Sequence, residues 1–255
     1  MATDISVTRR GDVLAIGFDR PQKRNALTAA MYAAMAGALA AAEADDDVRV
    51  VLFHGTREVF TAGNDIEDFI ERPPSGEDAP VFRFLMAVSR STRPMVAAVN
   101  GPAVGLGTTL LLHCDLVYAA QDARFSMPFT QLGLVPEFGS SYLLPLVAGY
   151  QRAAELLLLG EPFDAERARA AGFVTAVLPP DQVLDAAWVA AEKLARLPKE
   201  SVRMTRALLK AGHREAIEKA LLTEGGHFRE LLGKPAAREA LSAFMAKRRP
   251  DFTGK

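Results

Sequence analysis

The residues best equipped for chemistry lie between Asn100 and Glu137. Gly105 and Gly107 make a tight turn, a short apolar helix is predicted to start near Thr108, and the stretch closes on Leu134-Val135-Pro136-Glu137. A glycine turn at a helix start leaves main-chain N–H groups unpaired, and such donors stabilise an anion or a carbonyl oxygen that becomes anionic during a reaction. The turn has no third glycine and no Gly-Lys-Ser/Thr, so a developing oxyanion suits it better than a dinucleotide or a phosphate chain. A second glycine turn, Ala62-Gly63-Asn64-Asp65, offers another set of N–H groups around Asn64, with Asp65 placed to cap a helix beginning near Ile66. On the residues alone two plainer readings stay open. The glycines also suit close packing of helix on strand, and Glu137 also suits a solvated loop.

Arg20, Lys23 and Arg24 place three cations on one loop, either solvated or able to hold the phosphates of an anionic ligand. Lys247-Arg248-Arg249 reads as a solvated helix end, where cations suit the dipole. His54, His113, His213 and His227 lack metal-ligand spacing, and no metal is expected. Ser140 and Ser141 have no evident His/Asp partners for a hydrolase triad. Cys114 sits in an apolar run and reads as an inert buried thiol, and Asp115 reads as a local hydrogen-bonding or capping residue at a strand start.

Positioning these groups requires alternating strands and helices. Ile5–Thr8 and Val13–Phe18 form an opening hairpin across Arg10-Gly11-Asp12, a long helix covers Thr28–Ala44, and Val48–His54 and Val96–Val99 read as buried strands. Pro73-Pro74-Ser75-Gly76 breaks the chain into a loop before a helix over Ala79–Ser91. Helices are predicted over Gly139–Leu146 and Arg152–Leu159, and a last strand over Phe173–Val177. From Gln182 the pattern is helical: Gln182–Leu197, Glu200–Lys210, Glu215–Leu232 and Pro235–Met245. The expectation is an α/β core over residues 1–196 with a helical region over residues 197–255. Apolar positions such as Leu208, Leu209, Ile217, Leu221, Leu222 and Phe228 must cover that core or meet another subunit.

With 255 residues, nearly half of them apolar, the chain can bury a large core. A formal charge of −1 argues against a general nucleic-acid-binding role. A single cysteine excludes an internal disulfide framework, the first ten residues lack an apolar signal segment, and the alanine-rich stretch 26–42 suits a soluble helix better than a membrane span. A cytoplasmic protein is expected.

The ordered motifs Arg20-Pro21 to Asn25-Ala26-Leu27, Phe60-Thr61-Ala62-Gly63-Asn64-Asp65, Val99-Asn100-Gly101-Pro102-Ala103-Val104-Gly105, Cys114-Asp115, Ala123-Arg124-Phe125, Leu132-Gly133-Leu134-Val135-Pro136 and Gly160-Glu161-Pro162-Phe163 resemble the crotonase superfamily, the enoyl-CoA hydratase/isomerase family, over essentially the whole chain. The resemblance implies a spiral of β-β-α turns, a C-terminal helical region used to form trimers or dimers of trimers, and an acyl-CoA thioester as ligand, with no separate cofactor. It also implies an oxyanion hole built from the N–H groups of Asn64 and Leu106. Lys23 and Arg24 become candidates for the CoA phosphates, Ala26, Ala62, Asp65 and Ile66 for the channel beside nucleotide and pantetheine, and Gly105, Thr109 and Phe129 for further substrate contacts, with Thr109 able to shape the acyl pocket.

Hydratases of this family carry two glutamates, whose matching positions here are Thr109 and Phe129. A threonine hydroxyl is too weak an acid and base at neutral pH to replace a carboxylate, and phenylalanine has no proton to exchange. The resemblance instead points to Δ3,Δ2-enoyl-CoA isomerases, which carry their glutamate where Glu137 stands, in a run similar to Pro136-Glu137-Phe138-Gly139-Ser140-Ser141-Tyr142. Phe129, Leu134, Val135 and Phe138 are expected to surround Glu137 with apolar groups and raise its pKa. An isomerase acting on ring-containing acyl-CoA, a hydratase-like enzyme and a CoA-ester-binding protein without catalysis are the alternatives.

Overall fold

The computed structural model describes residues 4–254 apart from 73–75 and 77, so the loop expected across Pro73–Gly76 lies, except for Gly76, outside the described residues. Strands β1 (Ile5–Arg10) and β2 (Val13–Phe18) pair antiparallel across the Gly11 turn. Helix α1 (Ala29–Ala44) follows, capped by the Thr28 hydroxyl, which accepts from the Met31 N–H. Next come β3 (Val50–His54), the short α2 (Ile66–Glu71) and α3 (Pro80–Arg90). The central stretch then supplies β4 (Met95–Val99), β5 (Pro102–Val104), a four-residue α4 (Leu106–Thr109) continued by a 3-10 turn over Leu110–His113, β6 (Leu116–Ala120) and β7 (Arg124–Ser126). After it lie α5 (Ser140–Ala148), α6 (Tyr150–Leu159), β8 (Phe163–Asp164), α7 (Ala165–Ala170), β9 (Ala176–Leu178), α8 (Val183–Arg196), α9 (Lys199–Ala211), α10 (Arg214–Leu232) and α11 (Pro235–Met245).

Two sheets result. The larger runs β1-β2-β3-β4-β6-β9, parallel from β2 onward, and the smaller runs β5-β7-β8. Parallel strands covered on both faces need continuous apolar runs rather than alternation, and β4, Met-Val-Ala-Ala-Val, is buried at all five positions. Helix α8 packs across β3, β4 and β6, while α1 packs on α3. Among the described residues no helix is long and apolar enough to cross a membrane.

Several boundaries depart from expectation for visible reasons. The last strand begins at Ala176 rather than Phe173, because Phe173 and Val174 are buried in the core, with the Phe173 ring packing edge-on against Phe125 and Phe163. Strand pairing takes over at Thr175, whose N–H donates to the Val117 carbonyl. The helix after Gly105 starts two residues before Thr108, since Gly105 itself, at φ 55°, makes the turn. Asp115 does more than local capping: one carboxylate oxygen accepts from the Met95 N–H and the Arg206 Nε, each at 2.7 Å, tying α9 to the start of β4.

The C-terminal helices divide their apolar residues between two surroundings. Ile217, Leu221 and Phe228 of α10 are buried against α5 and α3, whereas Leu208 and Leu209 of α9 are about three-quarters exposed. The first group covers the chain's own core, and the second faces outward.

Candidate active site

The two glycine turns singled out in the sequence meet edge to edge. Thr61 and Ala103 form a parallel bridge, with the Thr61 N–H donating to Pro102 O and the Val104 N–H to Thr61 O, each at 3.0 Å. Gly63 has φ 85°, and a Cβ there would lie 2.9 Å from the Val104 carbonyl oxygen, so the approach of the two turns requires glycine on both conformational and steric grounds. On one side of this seam stands the N–H of Asn64 and on the other that of Leu106. Among the described residues neither N–H has an acceptor. The Asn64 side chain is fixed from behind by the buried Tyr32, whose hydroxyl donates to Asn64 Oδ1. Burial, and then the Glu137 charge, hold the Tyr32 phenol well above its ordinary pKa, so it stays protonated as a donor.

Both turns open into a cavity of about 880 Å³, near the upper end of the size range for small-molecule pockets. Glu137 lines it. Two left-handed residues in succession, Phe138 at φ 63° and Gly139 at φ 70°, turn the chain after this glutamate. A phenylalanine held there is strained by roughly 1–2 kcal/mol and needs surrounding contacts to persist. The His113 ring stacks on Phe138 at 4.2 Å between centroids and its Nε2 bonds the Phe138 carbonyl at 2.8 Å. Burial lowers the His113 pKa to about 3, so the ring is neutral and Nε2–H donates. The Ser140 hydroxyl donates to the Glu137 carbonyl at 2.6 Å, and Glu224 accepts from the N–H groups of Gly139 and Ser141 at 2.6 and 2.8 Å.

Glu137 itself is buried, and its carboxyl oxygens have no hydrogen-bond partner among the described residues. The other wall carboxylates are committed elsewhere: Asp65 pairs with Arg20 at 2.6 Å, and Glu67 reaches Lys23 at 3.3 Å. Desolvation, reinforced by the charge of Glu224, raises the Glu137 pKa to about 8. A carboxyl group tuned to that range serves both as a base and as an acid near neutral pH. A smaller cavity of about 60 Å³ shares Asn64, Phe69, Glu137 and Phe228 with the large one and extends it between Phe82, Leu85, Phe138 and Leu221. It is an apolar recess suited to a hydrocarbon tail.

At the exposed end of the large cavity lie Lys23, Arg24, Arg248 and Arg249. Arg24 and Asn25 take left-handed backbone (φ 52° and 56°), held by the Asn25 side chain, which accepts from the Arg20 N–H and donates to Val59 O and Phe60 O. Arg20, by contrast, is a structural clamp between Asp4, Asp65 and the Ala26 carbonyl.

Of the residues expected at the site, Lys23, Arg24, Ala26, Ala62, Asn64, Asp65, Ile66, Gly105, Leu106, Phe129 and Glu137 all line the large cavity. Thr109 does not. It is fully buried, its hydroxyl is turned toward the Leu106 carbonyl at 3.4 Å, and it forms no part of the wall. The Lys247–Arg249 patch is also more than a solvated helix end, since Arg248 and Arg249 reach the cavity. The supporting roles of Tyr32, His113 and Glu224 escaped the sequence reading. Glu224 had a usable signal: with Ile217, Leu221 and Phe228 it occupies the buried stripe of α10, where an unpaired acid is out of place.

Residues 8–255 match the family described as enoyl-CoA hydratase/isomerase. The chain is 36% identical to 1,2-epoxyphenylacetyl-CoA isomerase of Escherichia coli (strain K12) over 95% of each sequence. It is 38% identical to enoyl-CoA delta isomerase 2 of Rattus norvegicus over 84% of its own length and 56% of that protein's. Relatives of similar identity are named hydratases. Among solved structures, Pseudomonas aeruginosa OdaA superposes with a TM-score of 0.93 at 49% identity, covering 96% of this chain and 99% of that one.

Proposed function

The chain belongs to the enoyl-CoA hydratase/isomerase family, and from that premise we propose that it is a Δ3,Δ2-enoyl-CoA isomerase with Glu137 as its proton shuttle. One observation carries the reading: Glu137 is the one wall carboxylate without a cationic partner among the described residues, and it shares its cavity with the acceptor-free N–H groups of Asn64 and Leu106. In the proposed reaction a 3-enoyl thioester loses a proton from C2 to Glu137. The C2–H electron pair moves into the thioester to give a dienolate, whose oxygen accepts hydrogen bonds from Asn64 and Leu106. Glu137 then returns the same proton to C4, the C3–C4 double bond moves to C2–C3, and the carbonyl re-forms. Loss of one oxyanion donor typically slows a reaction by about 10²- to 10³-fold, so two N–H groups supply a large part of the acceleration.

Hydration needs a second group to hold and activate water. Phe129 presents a ring and Thr109 is turned away from the cavity, which favours the one-carboxylate reaction. No cofactor beyond the substrate's own CoA enters this scheme. Glu137→Gln keeps the side chain's shape and removes its basicity. Turnover of 3-hexenoyl-CoA is expected to fall by about 10²-fold or more, with CoA-ester binding retained. Turnover close to wild type in that variant would refute the assignment.

The likeness to 1,2-epoxyphenylacetyl-CoA isomerase over nearly the full chain favours a second reading, an isomerase of a ring-containing acyl-CoA. Comparing kcat/KM for 3-hexenoyl-CoA and for cyclic acyl thioesters on one preparation discriminates the two. The exposed Leu208, Leu209 and Met204 of α9 support assembly into a trimer or a dimer of trimers, which a monomeric mass by light scattering would exclude.

A further inference from the structure

Apart from the acyl cavity, a pocket of about 40 Å³ lies between α9, the start of α10 and the segment that follows α3. Arg203, Arg206, Lys210 and Arg214 all line it, and among the described residues no carboxylate does. Spacings of three and four along α9 stack the first three on one helix face, and like charges stacked this way weaken a helix unless something compensates them. The compensation within the chain is incomplete. Arg206 is 7% exposed. Its Nε pairs with Asp115 and its Nη1 donates to the Ser91 carbonyl, but its Nη2 is buried with no hydrogen-bond partner among the described residues. Arg203 Nε is buried without a partner as well, while its Nη2 reaches Asp46 at 3.4 Å. The Lys210 ammonium donates to His113 O at 3.0 Å and lies 3.9 Å from Asp115, which must therefore serve two cations.

The wall hydroxyls do not complete the balance. Ser91 and Thr92 donate to Glu43, and Ser89 donates to the Met86 carbonyl. Four cationic side chains, two of them with a buried guanidinium nitrogen that has no partner among the described residues, thus line one small volume. A single water needs roughly 10–15 Å³ by the same measure, so the pocket takes a small ion and excludes a nucleotide or an acyl chain.

We propose that this pocket is a binding site for a small inorganic oxyanion of the phosphate or sulfate class, held by Arg206 Nη2, Arg203 and Arg214. The planar guanidinium presents its N–H groups as a fork that matches tetrahedral oxyanions, which suits an arginine-lined pocket. The site shares no wall residue with the acyl cavity, so it stands whatever reaction the enzyme performs.

Thermal unfolding with sodium phosphate, at constant ionic strength held by sodium gluconate, tests the site. A ligand that binds only the folded state raises Tm saturably. The rise is expected in wild type and in Lys23→Gln/Arg24→Gln, which alters the acyl cavity instead. In Arg203→Gln/Arg214→Gln, the first half-buried and the second exposed, half-saturation is expected to move up by at least about tenfold. Crystals soaked in selenate are expected to show an anomalous peak within hydrogen-bond reach of Arg206 Nη2. An equal response in wild type and the pocket variant, no saturable response in wild type, or a map with only water or a neighbouring copy's carboxylate in the pocket overturns the proposal.

Discussion

Glu224 stands as a second buried carboxylate close enough to Glu137 for its charge to raise the latter's pKa, yet the two are treated differently by the main chain. Glu224 accepts the N–H groups of Gly139 and Ser141, at 2.6 and 2.8 Å, whereas among the described residues Glu137 accepts none. Burial raises both pKa values, but the two N–H bonds pull Glu224 back toward its charged form. Glu224 therefore ionises first, and its charge helps keep the proton on Glu137 up to about pH 8.

In the proposed reaction Glu137 must be deprotonated at the start, so kcat/KM for a 3-enoyl thioester should rise with pH and level off above about 8. Glu224→Gln removes the neighbouring charge and should move the midpoint of that rise downward. The pH profile of kcat/KM for both proteins decides the matter. A wild-type midpoint in the ordinary glutamate range, or a midpoint that does not move in the variant, would contradict this account.

The same raised pKa has a consequence for stability. Between the ordinary glutamate value of 4.5 and about 8 the folded chain keeps a proton on Glu137 that the unfolded chain releases. The Glu137 contribution is thus fully present below the lower value and is lost as pH rises through the upper one, at roughly 1.4 kcal/mol per pH unit. Glu137→Gln does not titrate. Its Tm is expected to match wild type near about pH 5 and to exceed it by on the order of 5–10 °C at about pH 8.5. Thermal scans of the two proteins across this range check the sign, and a wild type that gains on the variant as pH rises would reverse it.

Much of this site was legible in the chain because its parts have short-range signatures. Gly63 and Gly105 announce turns, and both have positive φ here; Asp65 announces a helix cap, and its carboxylate accepts from the Asp68 N–H. The apolar setting of Glu137 followed from the phenylalanines and aliphatics beside it. What could not be read were the contacts closed over long separations: Tyr32 onto Asn64, His113 onto Phe138, and Glu224 onto Gly139, 85 positions earlier. Thr109 was misplaced for a related reason. Its position in the sequence matches a family site residue, but its hydroxyl satisfies the local turn instead.

Gly63 is a sharp test of the seam between the two donor turns. Gly63→Ala must hold a Cβ at φ 85° and 2.9 Å from the Val104 carbonyl oxygen, which lies in backbone rather than in a movable side chain. The strain, about 1–3 kcal/mol, is relieved only by spreading the turns that carry the Asn64 and Leu106 N–H groups. Turnover is expected to fall at least tenfold, together with a loss of several degrees in Tm. A variant that loses stability but keeps full kcat would show that the N–H groups do not depend on this approach.

The exposed cations separate binding from chemistry. Arg24 and Arg249 lie at the solvent end of the cavity that Glu137 closes from within, and the phosphates of CoA are the charged part of the proposed substrate. Exposed cation–phosphate contacts are screened by salt and act equally on ground state and transition state, so their loss should raise KM and leave kcat unchanged. Arg24→Ala/Arg249→Ala is expected to raise KM for a CoA thioester about tenfold at low ionic strength, with the gap narrowing as salt is added. A pantetheine thioester of the same acyl group carries no phosphate and should be turned over alike by variant and wild type. Equal losses on both thioesters would place these arginines in the fold or the acyl site instead of on the nucleotide.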